Sequence, residues 1–210
     1  MRKLIAFTLF AAVMAGLSLF PAGTLAQDKK DKLKVEIEVP YVPTDEKVVS
    51  AMLKLAAVKE GETVYDLGCG DGRIVICAVK DFKAKKGLGV DFNPERLKDC
   101  QDAMKKAKLT AEQEKSLTFK QGDVLKMTAE EFKDVDVVTL YLLPSVNLRL
   151  KPILLEGLKP GARVVSHDFD MGQDWKEDKK EVVKAGDDPS TSREHLVFLW
   201  TIKEKKEPKK

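Results

Sequence analysis

Cysteine, histidine and aromatic residues are scarce in this chain: three Cys, two His and 7% Phe, Trp and Tyr among 210 residues. Cys69, Cys77 and Cys100 have neither paired spacing nor histidine neighbours suited to zinc, which excludes a disulfide scaffold and a structural zinc site. They read as small buried hydrophobes. His167 and His195 are too few and too far apart in sequence to mark a metal centre, so they are expected to be hydrogen-bonded structural residues. An excess of one charge is also missing, since 37 Lys and Arg stand against 34 Asp and Glu. With 43% hydrophobic and 34% charged residues, the composition is that of one ordinary globular domain, neither collagen-like nor disordered.

The long apolar run from Leu4 to Phe20 follows Arg2 and Lys3 and precedes the small-residue site Thr24-Leu25-Ala26. Residues 1–26 therefore read as a secretory signal peptide, which predicts an exported, periplasmic or secreted protein. The run is at the short limit for crossing a bilayer, so an uncleaved membrane anchor with the domain in the cytoplasm is the alternative. Residues 27–38 read as a flexible leader. The segment 1–26 holds two cations and no acid, and residues 203–210 hold five Lys and two Glu. The body between them is close to neutral, which argues against a general nucleic-acid footprint. Lys83, Lys85, Lys86, Lys105, Lys106 and Lys108 read as solvated faces, and the tail as disordered.

Along that body, Val48, Met52 and Leu55 recur at helical spacing after a start near Thr44. Strands are predicted at 62–67, 87–90, 116–120, 135–140 and 163–166, and further strands at 181–184 and 195–202. Between them, Ile74 to Val79 is helical, and Asn93 with Pro94 caps a helix carrying Leu97, Cys100, Met104 and Ala107 on one face. Another helix is predicted at 151–158, with Pro152 near its start. Strands alternating with helices predict a parallel α/β sheet.

The segment Val64-Tyr65-Asp66-Leu67-Gly68-Cys69-Gly70-Asp71-Gly72-Arg73 runs from a strand into a helix through three glycines, which lets a backbone without Cβ atoms approach a ligand at the sheet's carboxyl edge. It is neither a dinucleotide fingerprint, because Arg73 stands where the third glycine would be, nor a P-loop, because no Gly-Lys-Ser/Thr follows. Asp91 ends the second strand about 20 residues further on, where a carboxylate can accept both hydroxyls of a ribose. Asp123, after the third strand, lies at the same edge and can accept an exocyclic amine. With Asp66 upstream, these acids favour a nucleoside that lacks phosphates and carries positive charge. S-adenosylmethionine fits that description.

The glycine segment resembles motif I of the class I S-adenosylmethionine-dependent methyltransferases. Val39 to Thr44, Asp66 to Ile76 and Gly161 to Phe169 resemble more closely the broad-specificity archaeal protein-lysine methyltransferases and their mitochondrial relatives. The resemblance covers residues 39–202 and implies an α/β fold, a Rossmann-like seven-stranded sheet with helices on both faces. By that resemblance Tyr41 and Thr44 close over the methionine part of S-adenosylmethionine, Asp66, Gly68, Gly70 and Gly72 form its cradle, Asp91 holds the ribose, and Asp123 with Val124 holds the adenine. By the same resemblance Tyr141 would line the methyl-transfer channel. Beside it, Phe169 and Trp175 read either as further walls of a narrow channel to the sulfonium or as packing at the sheet edge. Leu140-Tyr141-Leu142-Leu143-Pro144-Ser145 stands where nucleic-acid amino-methyltransferases carry Asn/Asp-Pro-Pro-Tyr/Phe, which argues against a specific nucleic-acid partner. The expected activity is methyl transfer to an amine, most simply a lysine side chain in a protein substrate. A small-molecule acceptor and a non-catalytic nucleoside-binding envelope protein are the alternatives, and a monomer is expected.

Overall fold

The computed structural model describes residues 41–186 and 192–204. The expected signal segment 1–26, the leader 27–38 and most of the lysine-rich tail lie outside the described residues. Seven strands form one sheet: β1 Thr63–Leu67, β2 Lys86–Asp91, β3 Leu117–Gln121, β4 Val137–Leu140, β5 Arg163–His167, β6 Lys179–Ala185 and β7 Arg193–Thr201, in the order β3-β2-β1-β4-β5-β7-β6. The first five pair in parallel. β7 is inserted between β5 and β6 and runs antiparallel to both. The seven-stranded sheet is the one the resemblance implies, and only the last two strands depart from the parallel pairing that strand–helix alternation predicts. A parallel pair needs a crossover of a dozen or more residues, usually a helix, and the link from β6 to β7 is too short for one.

Helices α1 Glu46–Leu55, α2 Arg73–Asp81, α3 Pro94–Lys106, α4 Ala111–Lys115 and α5 Pro144–Gly157 complete the fold. Successive strand residues feed opposite cores, as the two-residue period of a strand requires. Val64, Val137 and Val165 pack with α1 and α2 on one face. Val138, Leu140 and Val164 pack with α5 on the other. Asn93 caps α3 as expected, its side-chain oxygen accepting the Glu95 N–H at 2.9 Å with Pro94 in the first turn.

Two helix starts differ from the sequence reading. The cap of α1 is Asp45, which accepts the Lys47 N–H at 2.7 Å, and this leaves Thr44 free to turn inward. α5 begins at Pro144 rather than at residue 151, so Pro152 lies inside it. Pro152 cannot donate to the carbonyl of Leu148, but the buried positions Val146, Leu150 and Leu154 recur every four residues and hold the helix against the sheet through the interruption.

Candidate active site

The glycine segment leaves the end of β1 as a loop whose first two glycines have no room for a side chain. Gly68 and Gly70 have φ +78° and +56°. A Cβ on Gly68 would meet Leu142 at 2.5 Å, and one on Gly70 would meet the Tyr41 ring at 2.6 Å. The loop is tied to β2 by the Gly68 and Cys69 N–H groups, which donate to the Val90 carbonyl at 2.8 and 3.1 Å. The Gly70 N–H donates to Asp91 Oδ2 at 2.8 Å.

Beside this loop lies a cavity of about 440 Å³, and Tyr41, Thr44, Asp66, Gly68, Gly70, Asp91, Asp123, Val124 and Tyr141 all line it. Gly72 does not. It precedes α2, and a Cβ there would meet the Phe119 ring at 2.4 Å, so its work is close helix-to-sheet packing. Trp175 is also absent from the lining. Its ring packs 5.8 Å from that of Trp200, and its carbonyl accepts the Trp200 indole N–H at 2.7 Å, so it lies half-buried against the core beside β7.

The acids differ in what they hold. Asp66 is 2% exposed. Its Oδ1 accepts the Thr139 hydroxyl at 2.6 Å, while Oδ2 has no hydrogen-bond partner among the described residues. Burial, reinforced by Asp91 and Asp71, pushes its pKa up to about 7 against the opposing Thr139 bond. Asp91 accepts Gly70 N–H on one oxygen and Asn93 N–H on the other, at 2.8 and 2.9 Å, and each oxygen keeps a further lone pair toward the cavity. Asp123 accepts the Leu125 N–H at 3.0 Å. Asp71 is claimed by Arg73 at 2.6 Å. Burial works to raise its pKa, but the guanidinium outweighs burial and holds the carboxyl below the usual range.

A short strap, residues 41–45, covers the cavity from the amino-terminal side. Arg96 lies over the Tyr41 ring at 4.3 Å, a cation–π contact. Arg73 donates to the Thr44 carbonyl at 2.8 Å. The opposite wall carries Tyr141 and Phe169, with ring centroids 6.2 Å apart and nearly parallel. Asn147 was not singled out by sequence. Buried on α5, it donates to the carbonyls of Phe169 and Asp170 at 3.4 and 3.2 Å and so holds the turn that bears Phe169. An uncharged amide facing the interior of an amphipathic helix was the only available signal.

Behind that wall the two histidines, distant in sequence, are joined: His167 Nε2 and His195 Nδ1 are 2.7 Å apart. Asp168 Oδ2 lies 3.3 and 3.7 Å from these nitrogens, so one carboxylate and two imidazoles converge. Their facing atoms are already engaged, the nitrogens with each other and the carboxylate oxygen with Arg193 at 2.8 Å. The two histidines are hydrogen-bonded, but sequence distance was a poor guide to their separation, since the fold gathers both beside Asp168. Burial lowers the His167 pKa to about 4, so the ring is neutral at pH 7.

The donor set suits S-adenosylmethionine. An unpartnered buried carboxylate oxygen answers a cationic ligand, and a Cβ-free loop admits one closely. Comparisons with known proteins agree. Residues 66–179 match the ANTKMT methyltransferase domain. A protein-lysine N-methyltransferase of Saccharolobus islandicus is 44% identical over 168 residues, which are 80% of this chain and 96% of that protein. The adenine nucleotide translocase lysine N-methyltransferase of Mus musculus is 30% identical over 77% of this chain and 67% of its own length. A Salinibacter ruber crystal structure, described as an RNA methyltransferase with S-adenosyl-L-homocysteine bound, is 43% identical, with a TM-score of 0.64 over 78% of this chain and 95% of that one. The sheet, the cavity and these relatives together place the chain in the ANTKMT methyltransferase domain family, as an S-adenosylmethionine-dependent methyltransferase of the class I fold.

Proposed function

We propose that the chain methylates the side-chain amine of lysine in protein, with the cavity residues in the roles their positions suggest. The observation that carries this reading is the acceptor wall: Tyr141 and Phe169 both line the cavity, with nearly parallel rings 6.2 Å apart, and give it an aromatic side suited to an aliphatic chain ending in an amine. Asp91 would accept the ribose hydroxyls and Asp123 the adenine amine, while Asp66 would answer the positive charge of the methionine part.

When bound, S-adenosylmethionine supplies an electrophilic sulfonium methyl group. No strong acid or base is then needed, and catalysis consists of in-line placement of a neutral amine and exclusion of water. A lysine amine, with a pKa of about 10.4 in water, loses its proton more readily among the Tyr141 and Phe169 rings and beside a cation. Tyr141 would orient the amine through its hydroxyl oxygen. Burial raises the pKa of that hydroxyl, so it stays protonated at neutral pH. Tyr141→Phe is expected to lower kcat about tenfold, one hydrogen bond's worth, with the cofactor dissociation constant unchanged. Unchanged turnover would remove Tyr141 from the reaction.

The Salinibacter ruber relative favours RNA as the second reading. Two features of this chain oppose it: a near-neutral body, and Leu140 to Ser145 where nucleic-acid amino-methyltransferases would carry their acceptor motif. Labelled cofactor given to the enzyme with equal masses of total cell protein and total RNA separates them. Label in protein is the expected result, and label confined to RNA would overturn the proposal.

We propose further that residues 1–26 direct export and are removed. The reading is supported by Arg2 and Lys3 before the apolar run Leu4 to Phe20 and by the small-residue site Thr24-Leu25-Ala26. The mass of the mature protein decides the matter: a chain beginning near residue 27 is expected, and an intact amino terminus would point to the anchor.

A further inference from the structure

Two sides of the cavity come from distant parts of the chain, the strap before α1 and the ends of β4 and β5. A single buried side chain touches both. His167, fully buried at the end of β5, faces Thr44 Oγ1 with its Nδ1 at 3.2 Å. The face of the same ring lies 3.9 Å from the centroid of Tyr141. Its other nitrogen is fixed by His195 Nδ1 at 2.7 Å and lies 3.3 Å from Asp168 Oδ2.

A neutral imidazole donates from one nitrogen and accepts at the other. Either tautomer of His167 keeps both contacts, because the Thr44 hydroxyl can donate or accept at Nδ1 and His195 Nδ1 can do the same at Nε2. The backbone braces the arrangement. Asp168 holds φ +60°, and the Phe169 N–H donates to the His167 carbonyl at 2.7 Å, closing a three-residue γ-turn. Asp168 Oδ1 accepts the Leu196 N–H at 2.9 Å. A strained non-glycine residue persists only where its surroundings over-determine it, and this one sets the direction of Phe169. His167 does not itself line the cavity.

We propose that His167 is a positioning residue that locks the strap over the cofactor against the acceptor wall, so that Thr44, His167 and Tyr141 act as one unit. The proposal rests on the reading that Thr44 closes over S-adenosylmethionine. Its consequence is energetic coupling: Thr44 contributes to cofactor affinity only while His167 holds it.

The test is a double-variant cycle on the full chain, read as the calorimetric dissociation constant for S-adenosylhomocysteine. Thr44→Val and His167→Gln are each expected to weaken binding about three- to tenfold. The double variant should be no weaker than the weaker single variant, and Thr44→Ser, which keeps the hydroxyl, should bind as the parent does. A double variant whose loss is the product of the two single losses would overturn the coupling, as would Thr44→Val binding as tightly as the parent. Should His167→Gln fail to fold, the contrast between Thr44→Val and Thr44→Ser still decides: equal affinities sink the proposal. The underlying cofactor reading fails by a different sign, when Asp91→Ala leaves affinity intact.

Discussion

Asp91→Ala is expected to weaken S-adenosylmethionine binding about 100-fold or more and to lower the melting temperature by several degrees, because the Gly70 and Asn93 N–H groups lose their acceptor. The carboxylate sits at the carboxyl end of β2, half-buried at the cavity wall. In the proposed role it accepts two ribose hydroxyls, and hydrogen bonds to a charged acceptor contribute about 1.5–3 kcal/mol each. Its second task adds to the loss, because Oδ2 holds the Gly70 N–H at 2.8 Å. Without that bond, the loop that must approach the ligand keeps its ties to β2 through Gly68 and Cys69 and to α3 through the Cys100 thiol on the Gly70 carbonyl, but loses the one beside the ribose position. Asp91→Asn keeps an acceptor oxygen at the position and should lie between the two. Calorimetric titration measures all three, and an Asp91→Ala variant that binds like the parent removes the ribose assignment.

Asp66→Asn is expected to move affinity and stability in opposite directions. In the folded protein without ligand the Asp66 pKa is about 7, against an ordinary value of 3.8. Between these values the unfolded chain has released a proton that the folded chain keeps, so this group's contribution to stability declines as pH rises from about 4 to about 7. Above pH 7 the buried charge is fully present, at a cost on the order of 4 kcal/mol. An asparagine keeps an acceptor for the Thr139 hydroxyl and carries no charge. The ligand-free variant should therefore melt above the parent at pH 8, with the gap closing toward pH 5. Cofactor binding draws on the same charge. The parent's affinity should fall as pH drops below about 7, by up to about tenfold per unit, and the variant should bind about 10- to 100-fold more weakly with a flat profile. A variant as sensitive to pH as the parent would show that another group carries the linkage.

The cofactor half of the site was legible because its signals are local. A near-continuous apolar strand, three glycines and an acid at the next strand end all fall within 64–91, and the backbone joins them directly through Gly70 and Asp91. The cap at Asn93 was readable for the same reason. Gly72 was ambiguous because its spacing says that a side chain is unwelcome without saying whether a ligand or Phe119 forbids it. The acceptor half depends on long-range pairing. Only the insertion of β7 beside β5 brings His195 to His167, and only the antiparallel register sets Asp168 against Leu196. Trp175 looked like a channel wall because aromatics near a sheet edge are ambiguous, and its packing against Trp200 could not be seen before β7 was placed. Asn147 was hidden because Pro144 and Pro152 offer two helix starts, and the wrong choice leaves Asn147 in a loop.

Lysine methylation requires that the aromatic wall receive the amine of a lysine side chain. The most direct measurement is acid hydrolysis of protein labelled from methyl-labelled S-adenosylmethionine, followed by identification of the labelled amino acid. Methylated lysine is the expected product, with the amount falling in Tyr141→Phe. Label on another residue type, or tight cofactor binding with no label transferred to protein, would contradict it.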